Sequence, residues 1–266
     1  MKITVFTSNQ PRHINLIESL ALISDQVCAV QECTTVFPGQ TADFYQKTPT
    51  MNRYFKRVLR AEQKIFGPLK FTAPNVTQLA IRVGDLNQLD LKTLKPALDA
   101  DLFVVFGASF IKKPLIKILM KKKAINIHMG ISPYYRGNSC NFWALYDHHP
   151  ELVGATIHKL TDGLDSGDIL YHSFPIVKKN MDGFTLGMQA VKTAHQSIID
   201  FIKTDQFQTW HGVKQDKSLE LRYTRRIDFT DQVANKYLAH LPDHDFIRQA
   251  CQQRNMSLFV NPQVVK

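Results

Sequence analysis

The stretch LFVVFGASFIKKPLIKILMKKKAINIH, residues 102–128, decides the fold. It begins with an uninterrupted apolar run, 102–106, which is typical of a strand buried on both faces of a parallel sheet. Pro114 then stands where the first turn of a helix accepts proline, and apolar residues follow it. The next short strand is predicted at 124–128. Strand, helix and strand in this order predict a doubly wound, mostly parallel α/β sheet.

The remainder of the chain fits the same architecture. Strands are predicted at residues 3–6 and 27–30, with a helix between them. In the second half, 153–160 and 169–176 predict two strands that can pair across the loop between them. Thr185 is the predicted N-cap of a long helix that follows. We therefore expect a catalytic domain over residues 1–204 and a small C-terminal subdomain or extension over 205–266.

Composition bounds the class of protein. A chain of 266 residues with 44% hydrophobic and 21% charged residues can bury a full core. No apolar run reaches the length of about 18 residues that a membrane span needs. The first residues predict a strand and not a signal peptide, so a cytoplasmic protein is expected.

Cysteine spacing and net charge limit the ligands. The four cysteines form no Cys-x-x-Cys pair, so no metal site is expected. Lysine and arginine exceed aspartate and glutamate by 33 to 23, a net charge of +10, which suits an anionic partner. No RNA-recognition motif accompanies this charge, so nucleic acid is not the expected partner.

Polar residues follow the predicted strands at the sheet edge where α/β proteins bind ligands. Asn126 and His128 alternate about Ile127, so both side chains face the same side of a strand. Asp165 follows in the glycine-rich turn DGLDSGD, residues 162–168. An amide, an imidazole and a carboxylate together can activate a carbonyl and move a proton. A strand that merely ends in a turn capped by polar side chains is the alternative.

Three ordered stretches resemble the signatures of the 10-formyltetrahydrofolate-dependent formyltransferases. NIHMGISPYYRG (126–137) resembles the Asn-x-His stretch of that family, and GATIH (154–158) with DGLDSGDIL (162–170) resembles its second signature. VVFGASFI (104–111) resembles the strand and loop of the folate pocket. The resemblance covers about residues 1–205 and implies a Rossmann-like α/β domain.

The resemblance implies catalytic roles for Asn126, His128 and Asp165. In this scheme a primary amine attacks the formyl carbon of the folate, and Asn126 and a protonated His128 stabilise the oxyanion. Asp165 favours the imidazolium and accepts the proton of the amine. His158 matches a further family histidine and is expected to support the loop; a core histidine bonded only to backbone is the alternative.

The implied co-substrate is 10-formyltetrahydrofolate, without a metal. Its pterin is expected between two loops, because a flat heterocycle with many donors and acceptors suits exposed main chain at strand ends. The candidate residues are Ser109, Phe110 and Ile111 on one side and Asp162, Gly163 and Leu164 on the other. Plain core packing is the alternative for Phe110 and Ile111.

Among the amines that this family formylates, a nucleotide-linked amino sugar used for surface polysaccharide, such as lipopolysaccharide or O-antigen, is the expected acceptor. About 60 residues follow 205, too few for the RNA-binding domain of the methionyl-tRNA enzyme. The loop TSNQPRH (7–13) lacks the glycines that cradle a phosphate in the glycinamide ribonucleotide enzyme. The sugar enzymes often dimerise through their tails, so a homodimer is expected.

Aromatic rings can stack a nucleobase and arginines can bind a diphosphate. The candidate acceptor residues are Ser8, Asn9, Arg12, Tyr135, Arg136 and Trp143. Packing around the site is the alternative for the aromatic members. Three other functions stay open: methionyl-tRNA formylation, binding of folate or a nucleotide without catalysis, and nucleic-acid binding.

Cys140 lies in the stretch 137–143, just after the first family signature. It is expected to be a buried small side chain and not a nucleophile.

Overall fold

The computed structural model describes residues 1–41, 43–204 and 211–265. The strands of these residues are β1 (Lys2–Thr7), β2 (Gln26–Cys33), β3 (Val76–Arg82), β4 (Leu102–Val105), β5 (Ile125–His128), β6 (Tyr135–Gly137), β7 (Ala155–Lys159), β8 (Ile169–Pro175), β9 (Arg222–Thr224) and β10 (Gln263–Val265). The helices are α1 (Pro11–Ala21), α2 (Pro49–Phe66), α3 (Leu91–Leu98), α4 (Leu115–Lys121), α5 (Cys140–Tyr146), α6 (Gly183–Lys203), α7 (Asp231–Ala239) and α8 (His244–Gln252).

The main sheet has eight strands in the order β10-β8-β7-β5-β4-β1-β2-β3. Neighbouring strands are parallel except where β7 takes part, because β7 is antiparallel to both β5 and β8. The predicted doubly wound, mostly parallel sheet is confirmed. The predicted pairing of the two strands on either side of the 160–168 loop is confirmed as well.

Helices cover both faces of the sheet, which explains the apolar run of β4. Val104 and Ile127 pack in the core formed with α1 and α6. Phe103 and Val105 pack in a separate core with α3 and α4. Because Ile127 faces the first of these cores, its neighbours Asn126 and His128 point to the other side of β5.

The start of α6 differs from the prediction. The carboxylate of Asp182 accepts a hydrogen bond from the backbone amide of Thr185 at 2.8 Å, and the helix begins at Gly183. Asp182 is therefore the N-cap, and the predicted cap at Thr185 is wrong. Aspartate caps as well as threonine does, and Asp182 is the residue whose extended backbone leads into the helix.

The C-terminal residues join the first part of the chain at two places. β10 pairs with β8 at the edge of the main sheet, and β9 pairs with β6 in a separate two-stranded sheet. The predicted domain boundary falls beside 205–210, which lie outside the described residues, so it stays a prediction. No helix in the described part of the chain is long and apolar enough to cross a membrane.

Gly137 is expected to be indispensable for the contact between β6 and β9. Its φ is +92°, and a Cβ there would collide with the carbonyl oxygen of Thr224. Gly137→Ala should therefore lower the free energy of unfolding by at least about 2 kcal/mol, measured by urea denaturation. Gly187→Ala is the matched control, because Gly187 is inside α6 with no atom near the added methyl. It should raise stability by about 0.5–1 kcal/mol, and equal stabilities of the two variants would contradict the prediction.

Candidate active site

Two antiparallel strands and one loop assemble the candidate site. Asn126 and His128 lie at the carboxyl end of β5, and His158 of β7 pairs directly opposite Asn126. Asp165 lies in the loop between β7 and β8. Gly167 of this loop lies close to the His158 ring, and a Cβ at this position would collide with the Lys159 carbonyl oxygen. The loop thus returns over the strand pair and brings a carboxylate to the two β5 side chains.

The three predicted catalytic side chains meet at the Asp165 carboxylate. His128 Nδ1 is 3.3 Å from Asp165 Oδ2, and Asn126 Nδ2 is 3.4 Å from Asp165 Oδ1. The side chains of His128 and Asp165 are 7% and 11% exposed. Their roles stay predictions, but the arrangement places an imidazole, a carboxylate and an amide within contact of one another.

His158 orients Asn126. Its Nδ1 faces the carbonyl oxygen of Lys159 at 2.9 Å, so in this arrangement the ring hydrogen lies on Nδ1. Its Nε2 then accepts a hydrogen bond from Asn126 Nδ2 at 2.9 Å. The second hydrogen of Asn126 has only the longer contact with Asp165, which is the weaker of the two. That hydrogen is the one available to a ligand.

The electrostatics favour an ion pair between His128 and Asp165. Burial acts to lower the pKa of His128, but the charge and hydrogen bond of Asp165 together with the smaller contribution of Cys140 outweigh it and raise that pKa well above its ordinary value. Burial likewise acts to raise the pKa of Asp165, but the charge and hydrogen bond of His128 lower it. The imidazolium and the carboxylate are therefore the stable forms at neutral pH.

Cys140 lies beside this pair. Its buried Sγ and His128 Nε2 both lie next to Gly130. A Cβ built on that glycine would be 3.2 Å from the sulfur and 2.9 Å from the nitrogen. Like Asp165, Cys140 acts to raise the pKa of His128. The prediction of a buried small side chain agrees with this placement. Its proximity to His128, twelve residues earlier, gave no signal in the sequence.

A cavity of about 790 Å³ opens over these residues. This volume is within the usual range for a site that binds a small molecule or cofactor. The predicted residues that line it are Arg12, Ser109, Phe110, Asn126, His128, Leu164 and Asp165.

The loop after β4 is held in place by side chains of the protein. Gly107 has a φ of +69°, and the buried carboxylate of Glu32 accepts hydrogen bonds from Ser109 N at 2.6 Å and Gly84 N at 2.8 Å. Asn87 donates to the Phe110 carbonyl oxygen at 2.9 Å. These hydrogen bonds join the loop to the end of β2 and to the segment after β3. Of the other predicted folate residues, Ile111 is buried in the core with α3 and α4, and Asp162 and Gly163 are exposed outside the cavity lining.

Most of the predicted acceptor residues are placed elsewhere. Ser8 and Asn9 are bonded to the main chain of Glu32 and Thr34, Tyr135 and Trp143 are buried, and Arg136 pairs with Glu220. Each of these five is used by internal contacts, which the local sequence does not reveal, and none lines the cavity.

One part of the cavity lining, the aromatic and basic wall, was for the most part not predicted. Rings pack against one another there, with centroids 4.9 Å apart for Tyr54 and Phe229 and 4.8 Å for Phe142 and Phe229. The lining residues of this wall include Tyr45, Tyr54, Phe142, Tyr223, Arg225, Arg226 and Phe229. The signals in the sequence were Phe142, in the aromatic stretch beside the family signature, and the local run of arginines around 222–226.

No group of three or more histidine, cysteine, aspartate or glutamate side chains suited to a metal ion occurs within residues 1–41, 43–204 and 211–265.

Comparison with known proteins first identifies a family. A family model described as formyl transferase matches residues 1–202. Methionyl-tRNA formyltransferases of Buchnera aphidicola and of a Synechococcus strain are 32% and 29% identical over 106 and 104 residues, about 40% of this chain. These matches span about a third of the length of either relative.

Solved structures share the fold. The formyltransferase PseJ from Anoxybacillus kamchatkensis, in complex with UDP-4,6-dideoxy-4-formamido-L-AltNAc and tetrahydrofolate, is 19% identical with a TM-score of 0.52, covering 94% of this chain and 97% of its own. A sugar N-formyltransferase from a Shewanella species is 14% identical with a TM-score of 0.53, covering 100% and 93%.

Proposed function

Since this chain belongs to the formyl transferase family, we propose that it transfers a formyl group from 10-formyltetrahydrofolate to the primary amine of a nucleotide-linked amino sugar. Membership confirms the family that the motifs predicted and, with it, the class of enzyme. The activity of the whole protein, its acceptor and its place in surface-polysaccharide synthesis are proposals.

The observation that carries the proposal is the contact of His128 and Asn126 with Asp165 beneath the cavity. The same cavity is lined by the loop with Ser109 and Phe110, which fits the flat donor molecule, and by the aromatic and basic wall. Donor and acceptor can therefore both bind in the cavity that contains these three side chains.

The bound folate would supply an electrophilic formyl carbon. His128, as an imidazolium, and Asn126, through its weakly bound hydrogen, can stabilise the negative charge that develops on the formyl oxygen when the amine attacks. Asp165 can take the proton that the amine loses, directly or through water. His128 can return a proton to the nitrogen that leaves. The charges of the pair are thus the ones that the reaction needs at its start.

The basic part of the wall supports an acceptor with a diphosphate. Arg225 forms an ion pair with Asp228 at 3.7 Å, whereas Arg226 has no ion pair among the described residues. The guanidinium of Arg226 lies over the Phe44 ring, 4.0 Å from its centroid. An unpaired guanidinium at the edge of a cavity can bind phosphate oxygens in bidentate fashion.

Arg226→Gln is expected to raise the KM for the nucleotide-linked acceptor about 10-fold or more, because one charge-assisted hydrogen bond contributes about 1.5–3 kcal/mol. The kcat and the KM for 10-formyltetrahydrofolate should change little. Steady-state kinetics with each substrate varied in turn give this result. Arg248→Gln is the control, since Arg248 is a surface arginine of α8 paired with Asp245. Equal changes in both KM values would contradict a role confined to the acceptor.

Methionyl-tRNA is the second candidate acceptor, and two observations favour it. The curated sequence relatives are methionyl-tRNA formyltransferases. In addition, Arg53, Lys56, Arg57 and Arg60 of α2 line a groove against α7, which suits a phosphate backbone.

The deciding experiment is mass spectrometry of candidate acceptors after incubation with the protein and 10-formyltetrahydrofolate. A panel of UDP- and dTDP-linked amino sugars is compared with methionyl-tRNA. One added formyl group on a sugar and none on the tRNA is the expected result. Formylated tRNA without a sugar product would replace the proposal by the second candidate. Binding of folate with no product would favour the non-catalytic alternative.

The predicted homodimer stays a prediction, and analytical ultracentrifugation of the full chain tests it. A single species with the mass of one chain, 30.4 kDa, would contradict it.

A further inference from the structure

We infer that Gln215 is a positioning residue that holds Asp165 in the orientation needed for its contact with His128; this inference rests on the proposed function for its meaning in catalysis. Gln215 lies beyond residues 1–202, the part of the chain that matches the family model. The C-terminal segment would thus complete a site whose reacting side chains all come from the first part of the chain.

The amide of Gln215 binds the catalytic loop at two points. Its Nε2 donates to the main-chain oxygen of Asp165 at 2.7 Å and to that of Gly167 at 2.8 Å. Both hydrogens of one amide nitrogen are used, and the two acceptors flank Ser166. The loop is therefore fixed immediately on either side of the peptide that follows the carboxylate.

The loop needs such support because Asp165 has an unfavourable backbone conformation. Its φ is +45°, in the left-handed region that non-glycine residues seldom adopt. A conformation of this kind persists only where the surrounding structure holds it. Arg136 Nη2 adds a third bond, to the Leu164 carbonyl oxygen at 3.1 Å, and Arg136 is itself paired with Glu220 of the C-terminal segment.

Gln215 is itself anchored. Val213 and Ile169 exchange two backbone hydrogen bonds of 2.8 Å, which pair this segment with the first residue of β8. The carboxylate of Asp216 accepts from the Ser218 amide at 2.9 Å and fixes the turn that follows. The side chain of Gln215 is thus presented to the loop from a segment that is held on both sides.

Packing does not account for Gln215. Its neighbours Lys214 and Asp216 are exposed, and Gln215 is only half-buried. Within the described residues its Oε1 is buried without a hydrogen-bond partner, whereas its Nε2 makes two bonds. The Gln215 amide thus uses both of its hydrogens while its oxygen stays unpaired, which indicates that the role of this side chain is to donate hydrogen bonds to the loop.

The consequence concerns the charge of His128. The charged and titratable groups that face its ring are the carboxylate of Asp165 and the thiol of Cys140, and His158 lies behind Asp165. If Asp165 moves away, its charge and hydrogen bond no longer offset burial, and the pKa of His128 falls. The imidazolium would then be lost at a lower pH.

The test compares Gln215→Met with the wild-type protein, both as the full chain. Methionine keeps the length of the side chain, adds no charge and removes both donors. Histidines are labelled with 15N, and the ring signal of His128 is assigned by its absence in His128→Gln. We expect the titration midpoint of His128 to fall in Gln215→Met, and kcat to fall about 10- to 100-fold. Gln215→Ala, which has a smaller side chain, provides the same test should the methionine not be accommodated.

Gln196→Met is the matched control, because Gln196 is an exposed glutamine of α6 whose side chain, within the described part of the chain, bonds only to Asp200 of the same helix. An unchanged His128 midpoint in both Gln215 variants would overturn the inference, even if their thermal stability fell. The midpoint is measured without any acceptor or folate. A wrong choice of acceptor would therefore not affect the measured midpoint of His128. Loss of formyl transfer with an unchanged His128 midpoint would contradict the role of Gln215 and would leave the proposed function untouched.

Discussion

Replacing His128 with glutamine should lower kcat about 10³- to 10⁴-fold. Glutamine keeps a hydrogen-bonding side chain but cannot carry the positive charge or move a proton. The variant therefore loses both stabilisation of the formyl oxygen and the acid that protonates the leaving nitrogen. Single-turnover measurement of formylated product at saturating acceptor gives the rate without a contribution from product release.

His240→Gln is the control for this variant. His240 lies at the end of α7, is exposed, and bonds to the Lys236 carbonyl oxygen. Its replacement should leave kcat within about twofold of the wild type, because surface changes away from a site have small effects. A His128 variant that turns over nearly as fast as this control would rule out the proposed chemistry.

Asp165→Asn should have the second-largest effect, and it should depend on pH. Without the carboxylate, the charge that chiefly offsets burial is gone, and the pKa of His128 falls. A smaller fraction of the protein would then carry the imidazolium at neutral pH, and kcat should fall about 10²- to 10⁴-fold because the proposed base is lost as well. The loss of activity with rising pH should move to lower pH. The pH dependence of kcat and the NMR titration of His128 measure the same shift.

Asp231→Asn separates this effect from the loss of any carboxylate. Asp231 is in the first turn of α7, on the surface, and its replacement should leave the pH profile in place. An Asp165→Asn variant with the profile of the wild type would remove Asp165 from the proposed role.

The same pair sets a pH window for stability. The raised pKa of His128 contributes stability that is fully present below its ordinary value of 6.5 and is lost as pH rises through the folded-state pKa. The lowered pKa of Asp165 contributes stability that is present above its ordinary value of 3.8 and is lost as pH falls through the folded-state pKa. The contribution of the pair is therefore largest between the two ordinary values, 3.8 and 6.5, and it declines as pH rises above that range.

The fold and the group at Asp165 could be predicted because both depend on local patterns. The apolar run 102–106 identifies a strand buried on both faces, and the alternation of Asn126 and His128 places both on one side of β5. Asp165 stood out as a carboxylate in a glycine-rich turn, and the resemblance to a family signature connected it with Asn126 and His128. These features lie within short stretches, so neighbouring residues carry the information.

Most of the aromatic and basic wall could not be predicted, for the opposite reason. Tyr135 and Trp143 are aromatic residues beside the signature, yet they are buried, because the chain turns them into the core around α5. Arg226 comes from a segment about 100 residues after His128. Gln215 is 50 residues after Asp165, and its hydrogen bonds to the loop depend on the pairing of Val213 with Ile169. Contacts between residues this far apart along the chain leave no recognisable pattern in a single sequence.

The short segment from Val213 to Arg226 has a consequence for how the protein can change. It contacts the Asp165 loop through Gln215, and its Arg225 and Arg226 line the cavity. Under the proposed function, acceptor choice and turnover therefore depend on the same piece of backbone. Laboratory evolution toward a new acceptor should produce paired substitutions in this segment. A substitution at 225 or 226 should be accompanied by a compensating one within 213–222. Chimaeras between relatives should stay active only when this segment is exchanged whole.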